Sequence, residues 1–144
     1  MNYDYSGYDP DDETGKAVRL SPPDVGEATA TGRISMNGAA FQAFVNDRDE
    51  IWTSARHAGT LAAMGFDRIL ISGQTVNIAG IAFSYDSDEA ENTVTVSCTV
   101  KTRERMRAES PVLLGCGCAL ISIMDRLRLM DRGIKIDSLT LDAK

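Results

Sequence analysis

The chain is poor in the residues that most often build metal centres and catalytic pairs. Its 144 residues include one histidine, one tryptophan and three cysteines. Cys116 and Cys118 are one residue apart, but no second pair and no nearby histidine completes a set of metal ligands. We therefore expect neither a metal nor another cofactor. We interpret the cysteines as reduced thiols of a cytoplasmic protein, since free cysteine packs as a small apolar residue.

A long apolar run and a basic surface are also lacking. No uninterrupted apolar stretch reaches the length that a bilayer requires, and the N-terminus has no basic segment followed by an apolar one. Residues 1–25 hold six acidic side chains against Lys16 and Arg19, so they supply −4 of the net charge of −6. Because the rest of the chain is nearly balanced, we expect neither nucleic acid nor a membrane as a partner. A small anionic ligand can still bind where arginines converge.

The patterning of the chain predicts two parts. Residues 1–25 are rich in aspartate, tyrosine, glycine and proline and have no apolar periodicity, which is typical of a disordered or loosely docked tail. From residue 26 to residue 144 the pattern is regular, and that length suffices for one domain with a substantial core. We therefore expect a single folded domain preceded by an acidic tail.

Alternation and helical spacing predict four strands and three helices in the order β-α-α-β-β-α-β. The expected elements are a strand ending at Met36, a helix capped by Asn37, a helix over 50–65, strands over 75–85 and 93–102, a helix ending near Arg132, and a strand over 134–141 with a register change near 137–138. This order predicts an α+β, ferredoxin-like domain, a four-stranded antiparallel sheet with its helices packed on one face. The open face and edges of such a sheet favour oligomerisation.

The last predicted helix carries a core stripe and a charge pair. The stripe repeats at helical spacing and consists of Leu120, Ile123, Met124, Leu127 and Met130. Asp125 and Arg128 lie one turn apart on another face of the same helix. Such a pair is either an ion pair that stabilises the helix or part of a site, and the residues by themselves favour the ion pair.

Three strings in this order resemble the molybdenum cofactor biosynthesis protein C (MoaC) family, the cyclic pyranopterin monophosphate synthases. They are EATATGRISM at 27–36, RDEIWTSARHAGTLAA at 48–63 and ALISIMDRLRLMDRGIKIDSLTL at 119–141. The resemblance extends over 26–144 and implies a ferredoxin-like subunit in a hexamer, a trimer of dimers, with active sites between subunits. It also implies conversion of a cyclised dihydroguanosine triphosphate into cyclic pyranopterin monophosphate with loss of pyrophosphate.

The resemblance also implies which residues form the site. Asp125 matches the acid of the family's helical motif and Arg128 its lysine, so these two are the candidate catalytic residues. The candidate substrate-binding residues are Arg48, Gln74, Arg105, Glu109 and Lys144. Arginine stands where the family has lysine at 48, 105 and 128, and glutamine stands where it has histidine at 74.

These exchanges change the chemistry that the site can perform. Lysine can exchange a proton when its pKa is lowered, whereas arginine keeps its charge and holds phosphate in bidentate fashion. Glutamine forms hydrogen bonds but does not move protons. Three functions remain open: a synthase that tolerates the exchanges, a diverged cyclase or lyase for another small anionic substrate, or a non-catalytic paralogue that binds a ligand or a partner subunit.

Overall fold

The computed structural model describes residues 25–70, 76–103 and 107–143. The predicted acidic tail therefore lies almost entirely outside the described residues. Four strands form one antiparallel sheet in the order β2-β3-β1-β4. They are β1 (Val25–Ser35), β2 (Ile78–Asp88), β3 (Thr93–Arg103) and β4 (Lys135–Leu141). This order, with the helices on one face, confirms the predicted ferredoxin-like α+β fold.

The two central strands form because their apolar residues alternate with hydroxyl side chains. In β1, Ala30 and Ile34 are fully buried, and in β3, Val96 and Cys98 are fully buried. Ala30 stands opposite Cys98 in the register, so both strands turn the same side toward the helices. The opposite side is polar, and there the hydroxyls of Thr29 and Thr99 lie 2.8 Å apart.

The described residues form four helices, and the residues at which these helices begin and end differ from the predicted ones. They are α1 (Gly38–Asn46), α2 (Arg48–Met64), α3 (Phe66–Ile69) and α4 (Glu109–Leu127). The predicted cap of α1 is confirmed, because the backbone N–H of Ala40 donates to Asn37 Oδ1 at 2.8 Å. Asp47 alone separates α1 from α2, so α2 begins two residues before the predicted start.

The helix predicted to reach Arg132 ends at Leu127, because the segment that follows it is bound to the start of α1. The carboxylate of Asp131 accepts a hydrogen bond from the backbone N–H of Asn37 and another from that of Gly133, each at 2.7 Å. The loop is thereby held at the start of α1 and cannot continue the helix. Met130, predicted to lie in the core, is 54% exposed and that prediction is wrong, whereas Leu120, Ile123 and Leu127 are buried as expected.

Helices α2 and α4 cross in close contact and run antiparallel. A methyl group at Gly59 would lie 2.7 Å from the carbonyl oxygen of Gly115 and 2.5 Å from the ring of Phe83. Gly59 and Ala63 are buried in this contact, whereas Leu61 of the same helix is 61% exposed.

The register change predicted near residues 137–138 is confirmed. Arg33 pairs with Ser138 and Ile34 with Ile136, so Asp137 is an extra residue in the edge strand β4. Its carboxylate accepts a hydrogen bond from Ser35 Oγ at 3.0 Å. The bulge keeps both the early and the late apolar residues of β4 on the side that faces the helices.

One described helix, α4, is long and apolar enough to cross a membrane by length and composition. Its residues Val112, Leu120 and Ile123 are fully buried against the rest of the domain. Core helices of globular domains pass the same test, and the buried face of α4 fits that role.

Candidate functional site

Asp125 and Arg128 lie on the surface at the last turn of α4. Their closest approach is 3.7 Å, from Arg128 Nη2 to Asp125 Oδ1, and their side chains are 71% and 57% exposed, respectively. An exposed ion pair of this spacing stabilises a helix by about 0.3–0.5 kcal/mol. The pair therefore contributes little to folding, and both charged groups are open to a ligand.

Arg48 lies at the same end of the helical layer as this pair. Arg126, at the end of α4, reaches Glu50 in the first turn of α2, with 3.1 Å between Nη2 and Oε1. Since Arg48 is the first residue of α2, the structure places it at the same end as Asp125. We call the end that holds Arg48, Asp125 and Arg128 the Asp125 end.

Glu109 lies at the opposite end of the helical layer. It is the first residue of α4, sixteen positions before Asp125, which corresponds to about 24 Å along the helix. We call this the Glu109 end. The structure therefore separates Glu109 from the charge pair within one chain. Gln74, Arg105 and Lys144, the other predicted binding residues, lie outside the described residues.

Sequence reasoning missed Arg126, which holds the Asp125 end together. Besides the ion pair with Glu50, its Nη1 donates a hydrogen bond to Ser54 Oγ at 3.3 Å. Arg126 therefore contacts α2, whereas its neighbour Asp125 faces solvent. The spacing of charges in the sequence could not show which of these two adjacent side chains contacts α2, because that depends on where α2 lies.

Two clefts lie near these residues. The first, of about 430 Å³, is formed by residues 45–50 and contains Arg48 with three carboxylates, those of Asp47, Asp49 and Glu50. The second, of about 480 Å³, lies toward the Glu109 end and is lined by Met64, Val76, Asn77, Ile78 and Arg103. Neither cleft contains several cations among its described residues, so neither provides a complete anion site within one chain.

An apolar flank adjoins the charge pair on α4. Gly117 and the 52% exposed Ile121 lie on the side of the helix toward the edge strand β4. Leu139 and Leu141 of that strand are 36% and 41% exposed. Leu139 packs beside Gly117, because a methyl group at Gly117 would lie 3.3 Å from its side chain. An apolar helix flank beside an unpaired strand edge is typical of a protein interface.

Cys98 and Cys116 lie in the core, whereas Cys118 is half-buried. Burial raises the pKa of the Cys98 thiol far above its ordinary value, and burial raises the pKa of Cys116 to about 11. Cys116 also lies 3.5 Å from the carbonyl oxygen of Val96. Both thiols are fully buried, and protonated thiols are poor nucleophiles and poor metal ligands. Among the described residues, no group of three metal-ligating side chains comes together.

The strand order and the helical layer define an α+β domain whose longest helix ends at an exposed acid–arginine pair. The model of the MoaC family matches residues 18–144. The chain therefore belongs to the MoaC family, as its three strings predicted.

Named relatives agree with this family. The chain is 27% identical over 143 residues to the cyclic pyranopterin monophosphate synthase of Bordetella pertussis, covering 92% of this chain and 87% of that protein. It is 28% identical over 137 residues to the synthase of Pelobacter propionicus, with 90% and 86% covered. The synthase of Limosilactobacillus fermentum is 29% identical over 120 residues, with 81% and 72% covered.

A solved structure was also found, that of a de novo designed protein with a ferredoxin fold. It has a TM-score of 0.44 and 13% identity, and the alignment covers 83% of this chain and 87% of that one. The fold assignment of the present chain follows from its own strand order.

Proposed function

We propose that this protein is a MoaC-like cyclase or lyase that acts on a small anionic, phosphorylated or nucleotide-derived substrate in the cytoplasm. The observation that carries the proposal is the accessible pair of Asp125 and Arg128, with Arg48 at the same end of the helical layer. Membership of a family whose relatives are named cyclic pyranopterin monophosphate synthases supports a reaction related to formation of that product.

The proposed roles follow from the chemistry of each side chain. Asp125 supplies a carboxylate that can accept or return a proton, and its side chain is accessible to a ligand. Arg128 and Arg48 keep their charge, and each presents a planar fork that matches phosphate oxygens. The acid is therefore proposed to move the proton, and the two arginines to hold and polarise the substrate.

We infer that the complete site forms only when two copies of the chain meet. Glu109 is about 24 Å from Asp125 within one helix, too far for both to contact one small substrate. Gly117 lies midway, eight residues from each, on the exposed apolar flank. Antiparallel packing of two α4 helices through this flank would place Glu109 of one copy beside Asp125 of the other. A trimer of dimers, the assembly that the resemblance implies, would contain three such pairs.

The substituted residues argue for a substrate or a rate that differs from those of the relatives. Arginine at 48 and 128 favours binding over proton transfer, and glutamine at 74 removes a proton carrier. We therefore favour a diverged cyclase or lyase over a synthase with the relatives' full activity. The same exchanges make a ligand-binding paralogue without turnover the second candidate.

Restoring lysine tests the role given to Arg128. We expect Arg128→Lys to raise turnover of the cyclised dihydroguanosine triphosphate at least about tenfold, because a lysine near the substrate can take part in proton transfer. The measurement is pterin product formed per subunit, with Arg56→Lys on the exposed side of α2 as the matched control. Parent turnover as fast as that of the Bordetella pertussis synthase would contradict the claim that the exchanges matter.

A further inference from the structure

The three residues that follow α4 are largely exposed to solvent. The side chain of Arg128 is 57% exposed, and Leu129 and Met130 are 93% and 54% exposed. Leu127, which precedes them, is buried in the core. Since exposed side chains do little to fix a backbone, the position of these three residues depends on what holds the chain on either side of them.

Asp131 holds the far side of this segment. Its Oδ2 accepts a hydrogen bond from the backbone N–H of Asn37, and its Oδ1 accepts one from that of Gly133, each at 2.7 Å. Hydrogen bonds from N–H groups to a carboxylate at this distance are among the strong ones in proteins. Because both oxygens are engaged, Asp131 binds the segment after α4 to a distant part of the chain.

Asn37 returns a contact to the same segment. Its Nδ2 donates a hydrogen bond to the carbonyl oxygen of Met130 at 3.2 Å. The backbone N–H groups of Met130 and Asp131 donate to the carbonyl oxygen of Leu127 at 2.9 and 3.2 Å. We call the contacts that Asp131 and Met130 make with Asn37 the Asp131 clamp. The clamp and the buried Leu127 therefore enclose Arg128 between two fixed points of the chain.

The Asp131 clamp also joins the two elements that carry the proposed anion-binding arginines. Asn37 is the N-cap of α1, and the single residue Asp47 connects α1 to Arg48, the first residue of α2. Arg128 lies on the other side of the clamp, three residues before Asp131. Two guanidinium groups bind one phosphate well only at a suitable separation and angle, so a site in which both are already in place binds more tightly.

We propose that Asp131 is a positioning residue for anion binding, because the clamp fixes the turn that presents Arg128 to a phosphate group shared with Arg48. Asp131 does not touch the substrate and acts through Arg128. The inference rests on the proposed function for the identity of the two arginines, whereas the clamp itself belongs to the fold.

The charge of Asp131 makes the proposal testable by the sign of an effect. A carboxylate three residues from Arg128 repels a phosphate, so by charge alone Asp131→Asn should tighten anion binding. Positioning predicts the opposite, because the amide accepts one of the two backbone hydrogen bonds and turns its NH2 group toward the other N–H. We expect the Kd of inorganic pyrophosphate, measured by titration calorimetry on the full-length protein, to rise at least about fivefold.

Asp88→Asn is the matched control for this change. The carboxylate of Asp88 also accepts two backbone hydrogen bonds, from the N–H groups of Ala90 and Glu91 at 3.0 and 3.3 Å, in the turn between β2 and β3. The control therefore removes the same charge and the same kind of contact without changing the clamp. It should leave the Kd of pyrophosphate within about twofold of the parent.

A second variant and a second measurement separate positioning from a general loss of structure. Asn37→Ser keeps a hydroxyl that can cap α1 but removes the donor to Met130, so the Kd should rise about two- to threefold. Backbone ¹⁵N order parameters of residues 128–130 should fall from about 0.85 to below about 0.6 in Asp131→Asn and stay unchanged in Asp88→Asn. Each titration is made below the thermal unfolding transition of the variant.

The outcomes distinguish a failure of this inference from a failure of the proposed function. A Kd that stays within twofold of the parent or falls in Asp131→Asn would overturn the positioning role, and so would lower order parameters without a change in Kd. Pyrophosphate binding that is lost in Arg128→Gln but kept in Asp131→Asn would leave the proposed site standing and remove Asp131 from it. A parent protein that does not bind pyrophosphate at millimolar concentration would contradict the anion site itself, and the positioning role with it.

Discussion

Replacing Asp125 by asparagine is expected to lower kcat by about 10²–10⁴-fold, because the amide can neither accept nor return the proton assigned to the carboxylate. The change preserves the size of the side chain and removes only its charge. Its exposed ion pair with Arg128 contributes about 0.5 kcal/mol at most, so Tm should stay nearly unchanged. The measurements are turnover of the cyclised dihydroguanosine triphosphate and thermal unfolding of the same samples.

A matched control shows whether the loss belongs to this carboxylate. Asp86→Asn removes an exposed carboxylate of β2 on the face of the sheet that points away from the helices, and should leave kcat within about twofold of the parent. If Asp125→Asn retains turnover, the residue is only part of a surface ion pair. If a fall in Tm accounts for the whole loss of activity, the result would likewise contradict a catalytic role for Asp125.

Replacing Gly59 by alanine is expected to cost about 1–3 kcal/mol in the free energy of unfolding. The added methyl group would lie 2.7 Å from the carbonyl oxygen of Gly115, which belongs to the backbone of α4 and cannot rotate away. It would also lie 2.5 Å from the ring of Phe83 in the sheet. Relief requires α2 to move away from both α4 and β2. Urea unfolding of the variant and the parent measures the change.

Gly38 provides the control for this prediction. An added methyl group there has no atom within 4 Å, and the residue is the first of α1. Gly38→Ala should therefore leave stability unchanged or raise it by up to about 1 kcal/mol, since alanine loses less backbone entropy in a helix. A Gly59→Ala variant as stable as the Gly38→Ala variant would show that α2 and α4 can separate at little cost.

The parts of the fold that follow from local chemistry were predictable. The alternation along β1 and β3 gave the buried side of the sheet, and Asn37 supplied the cap of α1 through its own side chain. The extra residue in β4 was also predictable, because the apolar alternation of that strand shifts at Asp137. Each of these features depends on residues that are close together in the sequence.

Features that depend on distant parts of the chain were not predictable. Helical spacing continues to Met130, but the helix stops at Leu127 because Asp131 binds the backbone of Asn37. Leu61 fits the apolar face of α2, yet α4 packs against Gly59 instead. In the candidate site, the pair of Asp125 and Arg128 was predictable from its spacing. The distance between this pair and Glu109 was not predictable, because it depends on the length and direction of α4.

Mixing two inactive variants tests the shared site most directly. Asp125→Asn and Glu109→Gln are each expected to lose turnover as separate preparations. When the two are unfolded together and refolded, an interface between unlike copies contains one site with both native residues and one site with neither. We therefore expect the mixture to regain about a quarter of the parent turnover for random pairing of two-site dimers. Native mass spectrometry would confirm that mixed assemblies have formed, and no recovery of turnover in such assemblies would contradict a site built from two copies.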